Sequence, residues 1–248
     1  MPENSRYVLV TGATSDIGHG ICADLKESGF TPLLVGRNIE KLRDIAIRLS
    51  LPQELCFVVN NNELENVGSL FKTITDTFGK LAGLVCAAGM HELRPIKAHN
   101  NLTFHKTFQQ NTISALVFAK FFSSSRYSLE NSAVVFISST AALLGEGGLT
   151  AYSAAKGALI SATRSLAVEL APRGLRVNCI SPGWIETKHA QEVKKTLGQE
   201  GVTKILMDYP LGFGEVEDVA FLVTFLIGRK SRWITGQNFV VDGGRTLL

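Results

Sequence analysis

Cysteine, proline, tryptophan and charge are all scarce in this chain. Its 248 residues include four Cys, seven Pro and two Trp, and only 19% are charged. Cys22, Cys56, Cys86 and Cys179 lie far apart and form no C-x-x-C pair, which argues against a disulfide framework and for a reducing compartment. Cys56, Cys86 and Cys179 fall inside apolar runs, where a thiol behaves as a small hydrophobe. His19, His91, His99, His105 and His189 show no H-x-x-x-H spacing, so no metal is expected. No apolar run approaches the ~18 residues of a membrane span, and segment 1–7 has no apolar stretch ahead of a cleavage site. A cytoplasmic protein without a secretory signal is therefore expected. Lys and Arg total 25 against 22 Asp and Glu, a net +3 scattered along the chain, so neither nucleic acid nor membrane is an expected partner.

What is present is a regular alternation. Short apolar runs at Tyr7–Val10, Thr31–Val35, Leu55–Val59, Gly83–Ala87, Ala133–Ser138, Arg176–Ile180 and Asn238–Val241 read as strands. Most are continuously apolar, as parallel strands covered on both faces must be. Helical patterns separate them: Ile17, Ile21 and Leu25 up to Gly29; Leu42, Ile45, Ala46 and Leu49; Leu70, Ile74 and Phe78 up to Gly79; then Asn100–Phe122, Thr150–Leu170 and Glu215–Ile227. Strand–helix alternation predicts βαβ units and an α/β, doubly wound parallel sheet of about seven strands with helices on both faces. A hydrophobic fraction of 45% excludes a disordered chain, and no linker, composition break or repeat divides it. Residues 1–248 are read as one domain.

In such a sheet ligands bind at the carboxyl ends of the strands. The first strand–helix turn runs Thr11-Gly12-Ala13-Thr14-Ser15-Asp16-Ile17-Gly18. Glycine lets the backbone approach a pyrophosphate, and the free N–H groups of a helix N-terminus bind its charge; the turn is read as a dinucleotide site. An acid commonly ends the second strand and binds the adenosine ribose hydroxyls. Here the strand ends in Gly36, Arg37 and Asn38. A guanidinium can bind a 2′-phosphate that an acid would repel, which favours NADP(H) over NAD(H); the alternative is an Arg37 that merely caps the strand in solvent.

The run Val134–Ile137 ends in Ser138 and Ser139, and a glycine-rich stretch leads to Tyr152 and Lys156. Four apart, Tyr152 and Lys156 share one helix face. A phenol near pKa 10 needs a stabilised anion to work near neutrality, and a neighbouring ammonium is expected to lower it.

Taken with Ala88-Gly89, Asn111, Pro182-Gly183, Thr187 and Asp242-Gly243-Gly244, these motifs make the whole chain resemble the short-chain dehydrogenase/reductases, compact branch. The spacing agrees, with 13 residues from Ser139 to Tyr152 and 41 from Asn111 to Tyr152. The resemblance implies a Rossmann-type fold. It also implies that Tyr152 is the general acid in reduction, that Ser139 stabilises the developing alkoxide, and that Lys156 holds the nicotinamide ribose. Asn111 would interrupt its helix and anchor a water in a proton relay. Gly12, Thr14, Ser15, Asp16, Ile17 and Gly18 would follow the cofactor, as would Ala88, Gly89, Pro182, Gly183, Ile185 and Thr187. Asn60 and Asn61 would sit on the adenine side. The segment 188–210 would be the substrate loop, and helices 100–122 and 150–170 together with Trp233–Leu248 would build a homotetramer.

The chain departs from the family pattern in three places. Asp16 replaces the middle glycine of the turn, putting a charge near the cofactor phosphates. Asn60 replaces an adenine-side Asp. Cys86-Ala87 replaces Asn-Asn before Ala88-Gly89, so other groups must satisfy the partners of those side chains. Within the family the chain is most similar to 3-oxoacyl-acyl-carrier-protein reductases, which implies an NADPH-dependent reductase of 3-oxoacyl thioesters. Arg173 coincides with a carrier-docking basic position, whereas a second such position holds Glu130. A dehydrogenase of a sugar, polyol or other secondary alcohol uses the same residues, and a cofactor-sensing regulator is the third reading.

Overall fold

The computed structural model describes residues 6–60 and 64–248. Seven parallel strands form one sheet in the order β3-β2-β1-β4-β5-β6-β7. They are β1 (Tyr7–Thr11), β2 (Thr31–Gly36), β3 (Cys56–Val58), β4 (Leu81–Cys86), β5 (Ser128–Ile137), β6 (Arg176–Pro182) and β7 (Asn238–Val241). The helices are α1 (Asp16–Glu27), α2 (Ile39–Arg48), α3 (Val67–Phe78), α4 (Asn101–Phe108), α5 (Ser114–Phe122), α6 (Thr150–Leu170), α7 (Lys188–Leu206) and α8 (Val216–Ile227).

Strand periodicity divides the core in two. Leu9 on β1, with Val134 and Phe136 on β5, faces Phe71, Phe118, Phe122 and Leu159 of α3, α5 and α6. Val8 and Val10, with Ala133, Val135 and Ile137, face Ile21, Leu25, Leu42, Val219 and Val223 of α1, α2 and α8. Successive side chains point to opposite faces, so both faces of each central strand must be apolar. This is the origin of the unbroken apolar runs in the sequence.

The elements differ from uninterrupted strands and helices in four places, one of them the interruption that the resemblance placed at Asn111. β3 is only three residues long because Leu55 closes a 3-10 turn over Gln53–Leu55. β5 starts five residues before the expected Ala133, through a polar stretch in which the pairing with β4 shifts register and Asn131 has φ 58°. The helix expected over Asn100–Phe122 is α4 and α5 joined by a π-turn at Gln109–Ile113. α7 is broken at Gly198 (φ 66°, ψ 175°).

Arg176 ties β6 to the end of α8. Its guanidinium donates to the carbonyl oxygens of Leu226 (2.6 Å), Ile227 (3.2 Å) and Gly228 (3.1 Å) and to Ser231 Oγ (2.8 Å). A cation at a helix C-terminus meets the negative end of the macrodipole and satisfies carbonyls left without a helical partner.

β1 is the switch point of the sheet. The chain leaves β1 to form β2 on one side, and β4 lies on the other, with Thr11 paired to both Val35 and Cys86. A crevice opens at the carboxyl ends of β1 and β4, where ligands of doubly wound sheets bind.

Candidate active site

A cleft of about 640 Å³ lies at this switch point. One end is lined by Thr14, Ser15, Asp16, Ile17 and His19 of the first turn and α1. The wall is formed by Gly89, Ser139, Tyr152 and Lys156, and Pro182, Gly183 and Thr187 complete it.

The turn is built for close approach. Gly12 has φ +70°, and a Cβ there would stand 2.6 Å from the Ala88 nitrogen; a Cβ on Gly18 would stand 2.1 Å from the Gly12 oxygen. Neither position has room for a side chain. Ser15 caps α1, accepting from the Gly18 N–H (3.0 Å) and donating to the Gly12 carbonyl (2.9 Å). Asp16 accepts a hydrogen bond from the Lys188 N–H (2.7 Å).

β5 delivers Ser139 to the cleft and α6 delivers Tyr152 and Lys156. Ser139 accepts from the Ala141 N–H (3.2 Å) and lies close enough to the Tyr152 hydroxyl to influence its ionisation. Lys156 is buried, donates to the Ile137 carbonyl (2.8 Å) and lies 5.8 Å from the Tyr152 ring centroid. Burial pushes the Lys156 ammonium down to about 8, with no carboxylate beside it to offset the loss of hydration. Burial likewise pushes Tyr152 up to about 12, against a smaller lowering by Ser139. The expected lowering of Tyr152 by the Lys156 charge is not found: burial raises the phenol, and the influence that opposes it comes from Ser139 rather than from Lys156.

Asn111 is fully buried in the π-turn. Its Oδ1 accepts from the Met90 N–H (2.9 Å), and its Nδ2 donates to the carbonyls of Met90 (3.0 Å) and Thr107 (2.9 Å). These bonds hold the strand-end segment around Gly89. A Cβ on Gly89 would lie 2.8 Å from Asn111 Oδ1 and 3.1 Å from Lys156 Nζ, so only a glycine separates the two side chains. Thr112 Oγ1 donates to the Ala155 carbonyl (2.6 Å), fastening the π-turn to α6. At the Cys86-Ala87 replacement, the Cys86 thiol points to the Ala115 carbonyl at 3.8 Å.

Other expected contacts lie at the margin. Arg37 and Asn60 follow β2 and β3 at the same end of the sheet, but neither lines the cleft, and Arg37 is exposed. Ile185 is buried in a bridge to Gly214. Ala88 lies beneath Gly12 and donates its N–H to Thr11 Oγ1 (3.3 Å). Asn61 is outside the described residues. Arg173, expected at a docking surface, is turned inward, donating to the Ser123 carbonyl, to the Ser128 carbonyl (3.4 Å) and to Ser128 Oγ (3.2 Å).

The site also contains side chains that sequence reasoning passed over. The His91 ring lies edge-on to Tyr152 with centroids 5.0 Å apart, and the His189 ring lies 5.6 Å from His91. Burial and the neighbouring His189 hold His91 below the usual imidazole range. Its place two residues after Gly89 was the available signal.

Residues 12–246 match the family model described as enoyl-(acyl carrier protein) reductase. The chain belongs to the short-chain dehydrogenase/reductases. Among curated relatives of this chain is the 3-oxoacyl-[acyl-carrier-protein] reductase of Rickettsia prowazekii, 31% identical and covering 97% of this chain and 96% of its own. An NAD-dependent glycerol dehydrogenase of Listeria innocua is 28% identical, with 98% and 94% covered. A short-chain dehydrogenase/reductase structure from Mycobacterium ulcerans superposes with TM-score 0.90 at 30% identity, covering 98% of this chain and 90% of that one. A structure described as ElxO with NADP bound gives 0.88 at 25%, covering 99% and 100%. The protein is an oxidoreductase of a family that uses a nicotinamide cofactor. The residues fit that group: the turn has no space for side chains at Gly12 and Gly18, and Lys156 presents a buried ammonium to the cleft.

Proposed function

We propose that the protein is an NADPH-dependent reductase of 3-oxoacyl thioesters, acting on a small-molecule substrate in a reducing, cytoplasmic compartment. The observation that carries this reading is the convergence of Ser139, Tyr152 and Lys156 on one wall of the cleft, beside the Gly12–Gly18 turn. Bound NADPH supplies the hydride. The Tyr152 hydroxyl donates its proton to the carbonyl oxygen, and Ser139 Oγ hydrogen-bonds that oxygen as charge develops on it. Lys156 binds the ribose hydroxyls through the donors that Ile137 does not use. Tyr152, held near 12, stays protonated at neutral pH, as the acid of a reduction must.

Arg37, free of the cleft wall at the end of β2, supports NADPH as the cofactor. Arg37→Asp is expected to lower kcat/KM for NADPH about tenfold or more, by losing a charge-assisted contact, and to raise it for NADH. Steady-state kinetics with both cofactors check this; an unchanged ratio assigns the phosphate to other residues.

The inward Arg173 and the acid at Glu130 favour a free thioester over one presented by an acidic carrier protein. The imidazoles of His91 and His189 beside Tyr152 favour the second reading, a small polar ketone or its polyol, since they offer hydrogen bonds where an acyl chain wants apolar surface. Exposed apolar side chains on the helices and C-terminal part (Ile113, Val168, Phe221, Phe225, Trp233, Leu247) support assembly into a homotetramer. The deciding assay follows NADPH or NADH absorbance with acetoacetyl-CoA and, in parallel, with small hydroxyketones. Thioester turnover above about 10⁴ M⁻¹s⁻¹ supports the first reading; turnover of the hydroxyketones alone selects the second.

A further inference from the structure

Asp16 reaches across the cleft to a helix 172 residues further along the chain. Its carboxylate, on the first residue of α1, accepts the N–H of Lys188, the first residue of α7. The Thr187 hydroxyl accepts from the Ala190 N–H (3.1 Å), so two acceptors serve the first turn of α7. One comes from the cap residue and the other from the cofactor turn. A carboxylate there meets the positive end of the α7 dipole as well as an unpaired donor.

This contact matters because α7 has little else to hold it. Ala190 is its only buried residue, and the helix breaks at Gly198. Apart from the Asp16 contact, its N-terminal half is tied down by an ion pair between Lys194 and Glu186 and by Lys194 over the Phe213 ring at 4.5 Å. A helix with so few buried apolar contacts opens locally at low cost unless its ends are fastened. The residue after Lys188 is His189, whose ring meets His91, whose ring in turn meets Tyr152. Displacing the first turn of α7 would therefore displace the wall of the cleft beside Tyr152.

We propose that Asp16 is a positioning residue: by fastening the first turn of α7 to the cofactor turn, it sets where His189 and His91 stand against Tyr152. The replacement of glycine by Asp at this position thus joins the two halves of the cleft. Its charge is engaged by α7 rather than left facing a phosphate. The kinetic consequence rests on the reductase reading above; the structural one does not.

Hydrogen exchange on the intact protein without substrate tests this, comparing wild type with Asp16→Ala and Asp16→Asn. In Asp16→Ala the amides of residues 188–193 are expected to exchange about tenfold faster, the effect of losing a hydrogen bond to a charged acceptor. Those of α6 should be unchanged. Asp16→Asn keeps an acceptor oxygen and is expected to restore most of the protection, which a role of charge alone would not allow. With a turned-over substrate, Asp16→Ala should raise KM for the carbonyl compound by a larger factor than it lowers kcat. Equal exchange at 188–193 in wild type and Asp16→Ala overturns the proposal, as does an Asp16→Asn protein indistinguishable from Asp16→Ala. If no substrate is turned over, the exchange data still decide the positioning role, and only the reductase reading fails.

Discussion

Tyr152→Phe is expected to reduce kcat by about 10³-fold or more while leaving the NADPH dissociation constant within about threefold of wild type. The magnitude follows from the contribution of a positioned general acid. The selectivity follows from the geometry: phenylalanine keeps the ring packed against His91 and removes only the hydroxyl beside Ser139. The ammonium of Lys156, bonded to the Ile137 carbonyl, stays in place to meet the cofactor. Single-turnover absorbance and fluorescence titration separate the two quantities. Turnover comparable to wild type would remove Tyr152 from the chemistry.

Lys156→Met is expected to abolish activity and yet to stabilise the fold. Lys156 is buried and held near 8 against an ordinary 10.5, a gap of about 2.5 units. At neutral pH the folded chain therefore carries a charged group at a cost of about 3 kcal/mol. Methionine removes that cost but leaves the Ile137 carbonyl without its donor, a loss of about 1–2 kcal/mol. The net gain of about 1–2 kcal/mol corresponds to a rise in Tm of about 3–5 °C. The sign of the pH dependence is fixed by the depressed value. Below pH 8 both folded and unfolded chains hold the proton and the full cost applies. Between about 8 and 10.5 only the unfolded chain holds it, so wild-type stability rises with pH, and the advantage of Lys156→Met shrinks and then reverses. Thermal melts at pH 7 and pH 10 check this, and a variant that melts lower at both would show that the buried ammonium supports the fold. Reduction by the wild type should weaken above pH 8 as the same proton is lost.

The fold was legible because its causes are local. The central strands contain apolar runs whose alternate residues enter two different cores, and helices such as α1 and α2 carry their own N-terminal side-chain caps. The expected helix Thr150–Leu170 matches α6 at both ends. What could not be read depends on partners distant in sequence. The π-turn at Asn111 exists because the side chain binds both backbone groups of Met90. The family resemblance implied an interruption at Asn111, but the partner that fixes it, Met90, lies 21 residues away and is not encoded near residues 109–113. His91 and His189, almost a hundred residues apart, carry no metal-like spacing and become neighbours only when α7 folds back over the cleft. The bond from Asp16 to Lys188 and the raised Tyr152 likewise depend on enclosure. The motif residues name a chemistry, whereas burial decides the protonation from which it starts.

The lengths of the strands carry one more consequence. The sheet is deepest at its middle, with ten residues in β5, and tapers to three in β3 and four in β7. Borders this short expose few unpaired amides, and so give an incoming strand little ladder to extend. Addition of chains border to border is thereby discouraged even in a crowded solution. The assembly proposed above would then fall to side-chain surfaces rather than to strand borders, and would stop once a closed symmetry is reached.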